Sequence, residues 1–317
     1  FLQTMLAKMV PPAEGGSRIA IILNGSPLSN GDCGSGESEI RRWILENDWL
    51  DAIVMLPDQL FYNTGIFTYI WLLRNEKPAS HRERVMLIDA RQQFEKEPKS
   101  FGNKRNRITD AHRVWIEERY RDGWAKDYAD EHVKIFGRED FAYHKVSVVF
   151  WQSDENDKSA TITEPYEKAF TAANVKKELE FYESELSFLV RVKADGAEKT
   201  IELSLKPGDD AATKFKAAFE GRPEILSVEW MHRHYVEDDE YIPHGENITE
   251  FLKREIAKPI IRWEETKKDG KPILGYEILP NKYFYRYQPP TPAKDLLAEF
   301  WKLEKEAEKM LEELANS

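Results

Sequence analysis

Residues 56–75 read LPDQLFYNTGIFTYIWLLRN. Two apolar, β-rich runs, Ala52 to Leu56 and Phe67 to Leu73, flank a polar turn that carries Phe61 and Tyr62. Short apolar runs bounded by Pro, Asn and Gly read as strands. Upstream, Arg18 to Leu23 is another such run and is expected as a strand buried on both faces. Between them, Ser38 can cap a helix through Asp48 whose apolar side carries Ile40, Trp43 and Ile44. Helices and strands in this alternation make an open α/β sheet with helices on its faces. A turn joining neighbouring strands lies at the sheet edge, where a ligand is the usual neighbour. Phe61 and Tyr62 there either stack on a planar group or plug the end of the sheet, and pattern alone leaves both readings open.

The 317 residues suffice for about two domains and a sizeable core. No apolar run approaches the roughly 20 residues that a membrane helix needs. Cys33 is the only cysteine, which excludes an internal disulfide and a cysteine-based zinc site and suits a reducing cytoplasm. A formal net charge of −11 argues against a free-standing nucleic-acid binder, but a local basic patch on an acidic chain can still touch phosphate. The stretch KSFGNKRNR is that patch: Lys99, Lys104, Arg105 and Arg107 have no acid between them, and a helix from about Asp110 to Tyr120 follows. The cations either contact phosphate or form a solvated loop.

At the start of the chain Phe1, Leu2, Met5, Leu6 and Met9 recur at helical spacing without a preceding cap, so the sequence reads as a fragment opening inside an element. Further on, FLVRVKADGAEKTIELSL alternates on either side of Asp195-Gly196 as a hairpin does, and Asp209 to Glu220 reads as a helix ended by Gly221. GDCGSGES lacks the Lys of a phosphate-binding loop and the glycine spacing of a dinucleotide site. His232, His234, Asp238, Asp239 and His244 could be drawn together around a metal, but a solvated acidic loop is the expected reading and no metal site is assigned. After QPPTP, the residues Leu296, Phe300, Leu303, Ala307, Met310 and Leu314 recur at alternating four- and three-residue steps. That is a heptad seam, which must lie against another helix, within the chain or outside it.

Three blocks carry a resemblance: ILNGSPL, the run GSGESEIRRWILENDWLDAIVMLPDQLFYNTGIFTYIWLLRN, and GYEILPNKYFYRY followed by a charged helix. They resemble the methyltransferase (M) subunit of type I restriction-modification systems, an N6-adenine DNA methyltransferase family. VMLIDAR, KSFGNKR and VKIFGREDFAYHKVSV are also similar to family segments, and the likeness is weakest from about Phe150 to Tyr241. Phe67 stands where the family pattern has Pro, and Ala142 where it has Gly. The family's adenosylmethionine loop and its Asn-Pro-Pro-aromatic tetrapeptide are not found in these residues.

The resemblance implies an α/β fold that is the C-terminal half of a Rossmann-like adenosylmethionine-dependent methyltransferase sheet, followed by an α+β region and a coiled-coil-like C-terminal helix. It divides the chain into 1–97, the second half of the methyltransferase domain; 98–245, a basic loop and α+β insertion; and 246–317, a C-terminal region with a partner-binding helix. It implies that a flipped adenine stacks on Phe61, with Tyr62 as the competing candidate. It also implies that the C-terminal helix docks the specificity subunit, with the restriction subunit as a further possible member of the complex, and that DNA is the substrate. S-adenosylmethionine serves the complete subunit, and none is expected to bind this chain alone, which is expected to be inactive by itself. The alternative is a non-catalytic interaction module or truncated relic that docks to the same specificity subunit.

Overall fold

The computed structural model describes residues 1–152, 161–194, 196–220, 223–287 and 289–315, with side chains to residue 312. Asp195, Gly221 and the side chain of Leu314 therefore lie outside the described residues. The chain forms two compact units, Phe1–Ile278 and Leu279–Ser317.

The first unit begins with a short helix, Leu2–Leu6, and then β1 (Arg18–Asn24), the helix Gly36–Glu46, β2 (Leu50–Met55), β3 (Thr68–Arg74) and β4 (Arg84–Asp89). A hairpin of β5 (Glu95–Phe101) and β6 (Lys104–Arg107) precedes the helix Asp110–Asp122 and β7 (Val133–Gly137). The main sheet has the order β1-β3-β2-β4-β7. β2 and β4 are parallel, while β3 runs antiparallel between β1 and β2. Every residue of β2 is buried because both sheet faces are covered there. Ala52, Val54, Met86 and Ile88 pack beneath Trp115, Ile116 and Tyr120 of the helix Asp110–Asp122. The sheet takes in β7, so this layer continues past the division expected at residue 97.

Two local expectations are corrected. β1 is an edge strand rather than one buried on both faces: among the described residues it pairs only with β3, and Ala20 and Ile22 are exposed. The following helix is capped by Ser35, whose Oγ accepts the Ser38 amide at 3.3 Å, and it ends at Glu46. Ser38 and Arg41 occupy its buried face, whereas Trp43 is exposed and rests edge-on against Trp49. The Arg41 guanidinium donates to the carbonyls of Tyr276, Asn30, Pro27 and Gly31 at 2.5, 2.8, 3.1 and 3.3 Å. Ser38 Oγ accepts the Tyr276 amide at 3.0 Å. A buried cation needs such partners, and here backbone carbonyls supply them. At the start of β2 the buried Asp51 accepts from His81 Nδ1 at 2.9 Å and from the Tyr120 hydroxyl. Burial, with Asp51 beside it, pushes that hydroxyl up to about 12, so it stays a donor.

β8 (Ala142–Trp151) begins a second sheet, and β9 (Thr161–Pro165), β10 (Leu186–Ala194), β11 (Ala197–Leu205) and β12 (Glu224–Arg233) form a third in the order β11-β10-β12-β9. The expected hairpin is β10–β11, and the helices Ala172–Tyr182 and Ala211–Ala218 cover one face of its sheet. The second helix starts at Asp210, whose carboxylate caps it, and ends earlier than the sequence suggests. β13 (Tyr235–Pro243) and β14 (Ile260–Glu265) flank β8, and the helix Ile248–Ile256 closes a small core on them.

The strand Leu274–Tyr276 pairs with the start of β8 and places Gly275 opposite Tyr143. A Cβ at Gly275 would overlap the Tyr143 ring. Gly275→Ala is accordingly expected to destabilise the unit by roughly 1 to 3 kcal/mol through overpacking, read as a lower urea midpoint at unchanged slope.

Candidate nucleic-acid interface

The loop from β2 to β3 leaves the sheet at the carboxyl ends of β2 and β4, the edge at which open α/β sheets bind ligands. Its backbone is sewn to the β5–β6 hairpin. The amides of Arg105 and Asn106 both donate to the Gln59 carbonyl, at 3.0 and 3.1 Å. Asn106 is fully buried, and its Nδ2 donates to the Asp58 carbonyl and carboxylate at 2.9 and 3.0 Å. Its Oδ1 accepts from Lys96 at 2.9 Å. Farther along, the Asn103 amide donates to the Tyr62 carbonyl at 3.1 Å and Lys104 Nζ to the Leu60 carbonyl at 3.3 Å. Gly102 makes the hairpin turn at φ +61°, and a Cβ there would press on the Tyr62 carbonyl. The loop is therefore held at four successive points between Asp58 and Tyr62.

Held this way, the loop presents two aromatic rings in different settings. Phe61, 38% exposed, forms part of the wall of a mainly apolar cavity of about 430 Å³ together with Ile22, Leu56, Ile70, Ile108 and Ile116. Arg113 and Glu117 of the helix also line it. Tyr62 is more exposed and meets Phe101 edge-on, with ring centroids 6.4 Å apart. Lys104 Nζ lies 5.9 Å from the Tyr62 centroid.

Strand pairing changes the character of the basic stretch. Glu95 and Glu97 come from β5, and they reach Arg107 at 3.0 Å and Lys104 at 3.1 Å. Lys104 is thus engaged inside the hairpin and Arg107 is ion-paired, while Lys99 and Arg105 are exposed. The sequence shows no acid among the four cations, but the hairpin register places two beside them.

The other sequence candidates resolve into structural contacts. In GDCGSGES, the Cys33 thiol donates to the Ile273 carbonyl at 3.5 Å, and Asp32 pairs with Lys145. Burial, reinforced by Asp32, pushes that thiol up from its ordinary value. His232 is buried between the Arg233 carbonyl and Glu164, at 2.9 and 3.0 Å. His244 instead meets His144 at 3.2 Å, and His144 bonds Glu265 at 2.8 Å. Among the described residues no group of three or more His, Cys, Asp or Glu could hold a metal ion, and no helix is long and apolar enough to cross a membrane.

In the second unit the helix Ala293–Ala315 displays Leu296, Phe300, Leu303, Ala307 and Met310 as exposed side chains. Leu297, Trp301 and Leu311 are exposed as well and were not part of the seam read from the sequence. They lie one position beyond Leu296, Phe300 and Met310, so the apolar face is wider than a heptad stripe.

The sequence model described as N-6 DNA Methylase matches residues 1–168, more than half of the chain. This chain belongs to the N-6 DNA methylase family. It is 33% identical over 99 residues to the type I restriction enzyme MjaIX methylase subunit of Methanocaldococcus jannaschii, an alignment covering 31% of this chain and 17% of that protein. It is 39% identical over 93 residues to the HindI methylase subunit of Haemophilus influenzae, covering 29% and 19%. Its structure is similar to that of the type I restriction-modification methyltransferase subunit of Streptococcus thermophilus at 27% identity, with a TM-score of 0.33, covering 39% of this chain and 24% of that one. The matched part thus spans less than a fifth of the length of these two curated relatives.

Proposed function

We propose that this N-6 DNA methylase chain supplies the target-base side of an adenine-specific modification subunit of a type I restriction-modification system. In this reading its sheet, which runs on through β7, is the later half of a Rossmann-like methyltransferase sheet, and the insertion and the docking region follow it. Phe61 is the face on which an extruded adenine stacks. The observation that carries the proposal is its placement in the wall of an apolar cavity at the carboxyl edge of the sheet, on a loop that the hairpin holds. Tyr62, turned to Phe101, is the weaker candidate. Lys99 and Arg105 are the cations free to reach phosphate, and Lys104 and Arg107 serve the hairpin first. The helix Ala293–Ala315 docks the specificity subunit. S-adenosylmethionine is the donor of the complete subunit and is bound outside these residues, so this chain alone is inactive.

Base stacking contributes about 1 to 3 kcal/mol. In a complete subunit carrying this chain, Phe61→Ala is expected to lower methyl transfer to adenine by roughly 5- to 150-fold, at about 1.4 kcal/mol per factor of ten. Donor affinity should stay unchanged, and Phe61→Trp should retain more activity than Phe61→Ala. Methyl-transfer kinetics and calorimetric titration with the donor measure the two effects. Equal loss of donor binding in both variants would make Phe61 a structural plug.

A further inference from the structure

Phe101 stands at the tip of the β5–β6 hairpin and is 51% exposed. A large apolar ring in water forfeits much of the stabilisation that burial would give it. The tip is tied at its turn: past an irregularity in the pairing after Lys96, register sets Phe101 opposite Lys104, the Gly102-Asn103 turn closes the strands, and the Asn103 amide donates to the Tyr62 carbonyl. Tyr62 meets the Phe101 ring in a T-shaped contact, and about half of the Phe101 surface remains exposed. The exposed cations near it are Lys99 on β5 and Arg105 on β6.

A large exposed aromatic on a hairpin that also carries exposed cations fits one class of partner well. Nucleic-acid bases offer a π-face to the ring, and the phosphates on either side offer charge to the cations. Proteins that hold distorted duplexes insert apolar side chains between base steps, trading lost stacking for added contact. Through Tyr62, Phe101 is continuous with Phe61, which faces the cavity. We infer that Phe101 is a wedge that enters the base stack of duplex DNA at the position an extruded base leaves.

The inference rests on the reading of Phe61 as the base-stacking face, and the two are separable. One duplex carries a mismatched, easily extruded adenine. A second carries an abasic site at the same position, which keeps the gap in the stack but offers no base to Phe61. Binding of both to the 317-residue chain is followed by fluorescence anisotropy. Phe101→Ala is expected to weaken both complexes about tenfold, leaving the affinity for intact duplex and the salt dependence unchanged, because no charge is lost. Phe101→Trp should restore binding to both. Phe61→Ala should weaken only the complex with the adenine present. An unchanged unfolding midpoint for Phe101→Ala, expected for a side chain this exposed, confirms that the fold is intact. Native affinity of Phe101→Ala for the abasic duplex overturns the wedge, as does failure of the native chain to bind either duplex. Native affinity of Phe61→Ala for the adenine duplex overturns only the stacking reading.

Discussion

Leu303→Asp combined with Met310→Asp is expected to abolish co-purification of a subunit carrying this chain with the proposed specificity subunit, and to leave S-adenosylmethionine binding in place. Both positions lie on the seam of the helix Ala293–Ala315 and are more than half exposed. Withdrawing two such side chains from a helix interface removes about 1.5 to 3 kcal/mol of burial each. Together that is a loss of roughly 150- to 20,000-fold in affinity, before the cost of burying two carboxylates is added. Pull-down through a tagged specificity subunit reads the outcome, and assembly at native affinity would place the docking surface elsewhere. The apolar face is wide, because Leu297, Trp301 and Leu311 extend it. Trp301→Ala should therefore also weaken assembly, by less than the double substitution.

Arg41→Met is expected to be the most damaging single substitution in the first unit. It removes the donor for four backbone carbonyls contributed by residues 27–31 and by Tyr276, at a position that is 2% exposed. Leaving buried carbonyls unpaired costs about 1 to 3 kcal/mol per group where water cannot reach them, and breaking a buried charged network typically costs about 3 to 5 kcal/mol in all. Urea unfolding of the chain should show a midpoint lowered accordingly. Arg41→Lys should be intermediate, since an ammonium cannot span four acceptors set around a planar fork. A midpoint within experimental error of the native value for Arg41→Met would show that water reaches the carbonyls.

What the sequence displayed and what it hid follow from the range of the interactions involved. The runs at β2 and β3, the alternation of β10 and β11 and the C-terminal helix are local patterns, and each element lies about where periodicity places it. Ser35 and Ser38 offer the same capping chemistry three residues apart, and the sequence alone does not separate them. Ser38 and Arg41 look solvent-facing in the sequence, and their burial is decided by Tyr276, which no window around residue 41 contains. Periodicity also does not distinguish an edge strand from a central one, so the apolar run of β1 carries no sign of its exposed face. In the candidate site, Phe61 and Tyr62 were legible as aromatics in a turn. Asn106, which holds their loop, and Phe101, at the hairpin tip, carry no local signal that separates them from an ordinary basic loop.

The link from Arg41 to Tyr276 also sets an order of events during synthesis. The Pro27, Asn30 and Gly31 carbonyls reach the guanidinium early, but its Nε partner lies 235 residues downstream. At translation rates of about 5 to 20 residues per second, that partner follows roughly 10 to 50 s later. Until then Ser38 and part of Arg41 face the ribosome-bound chain as an unfilled polar groove, and Gly275 cannot seat against Tyr143. The face of the helix Gly36–Glu46 is thus completed late, so a nascent chain stopped short of Tyr276 should remain open to protease at residues 25–46 even though the strands of its first sheet are already made.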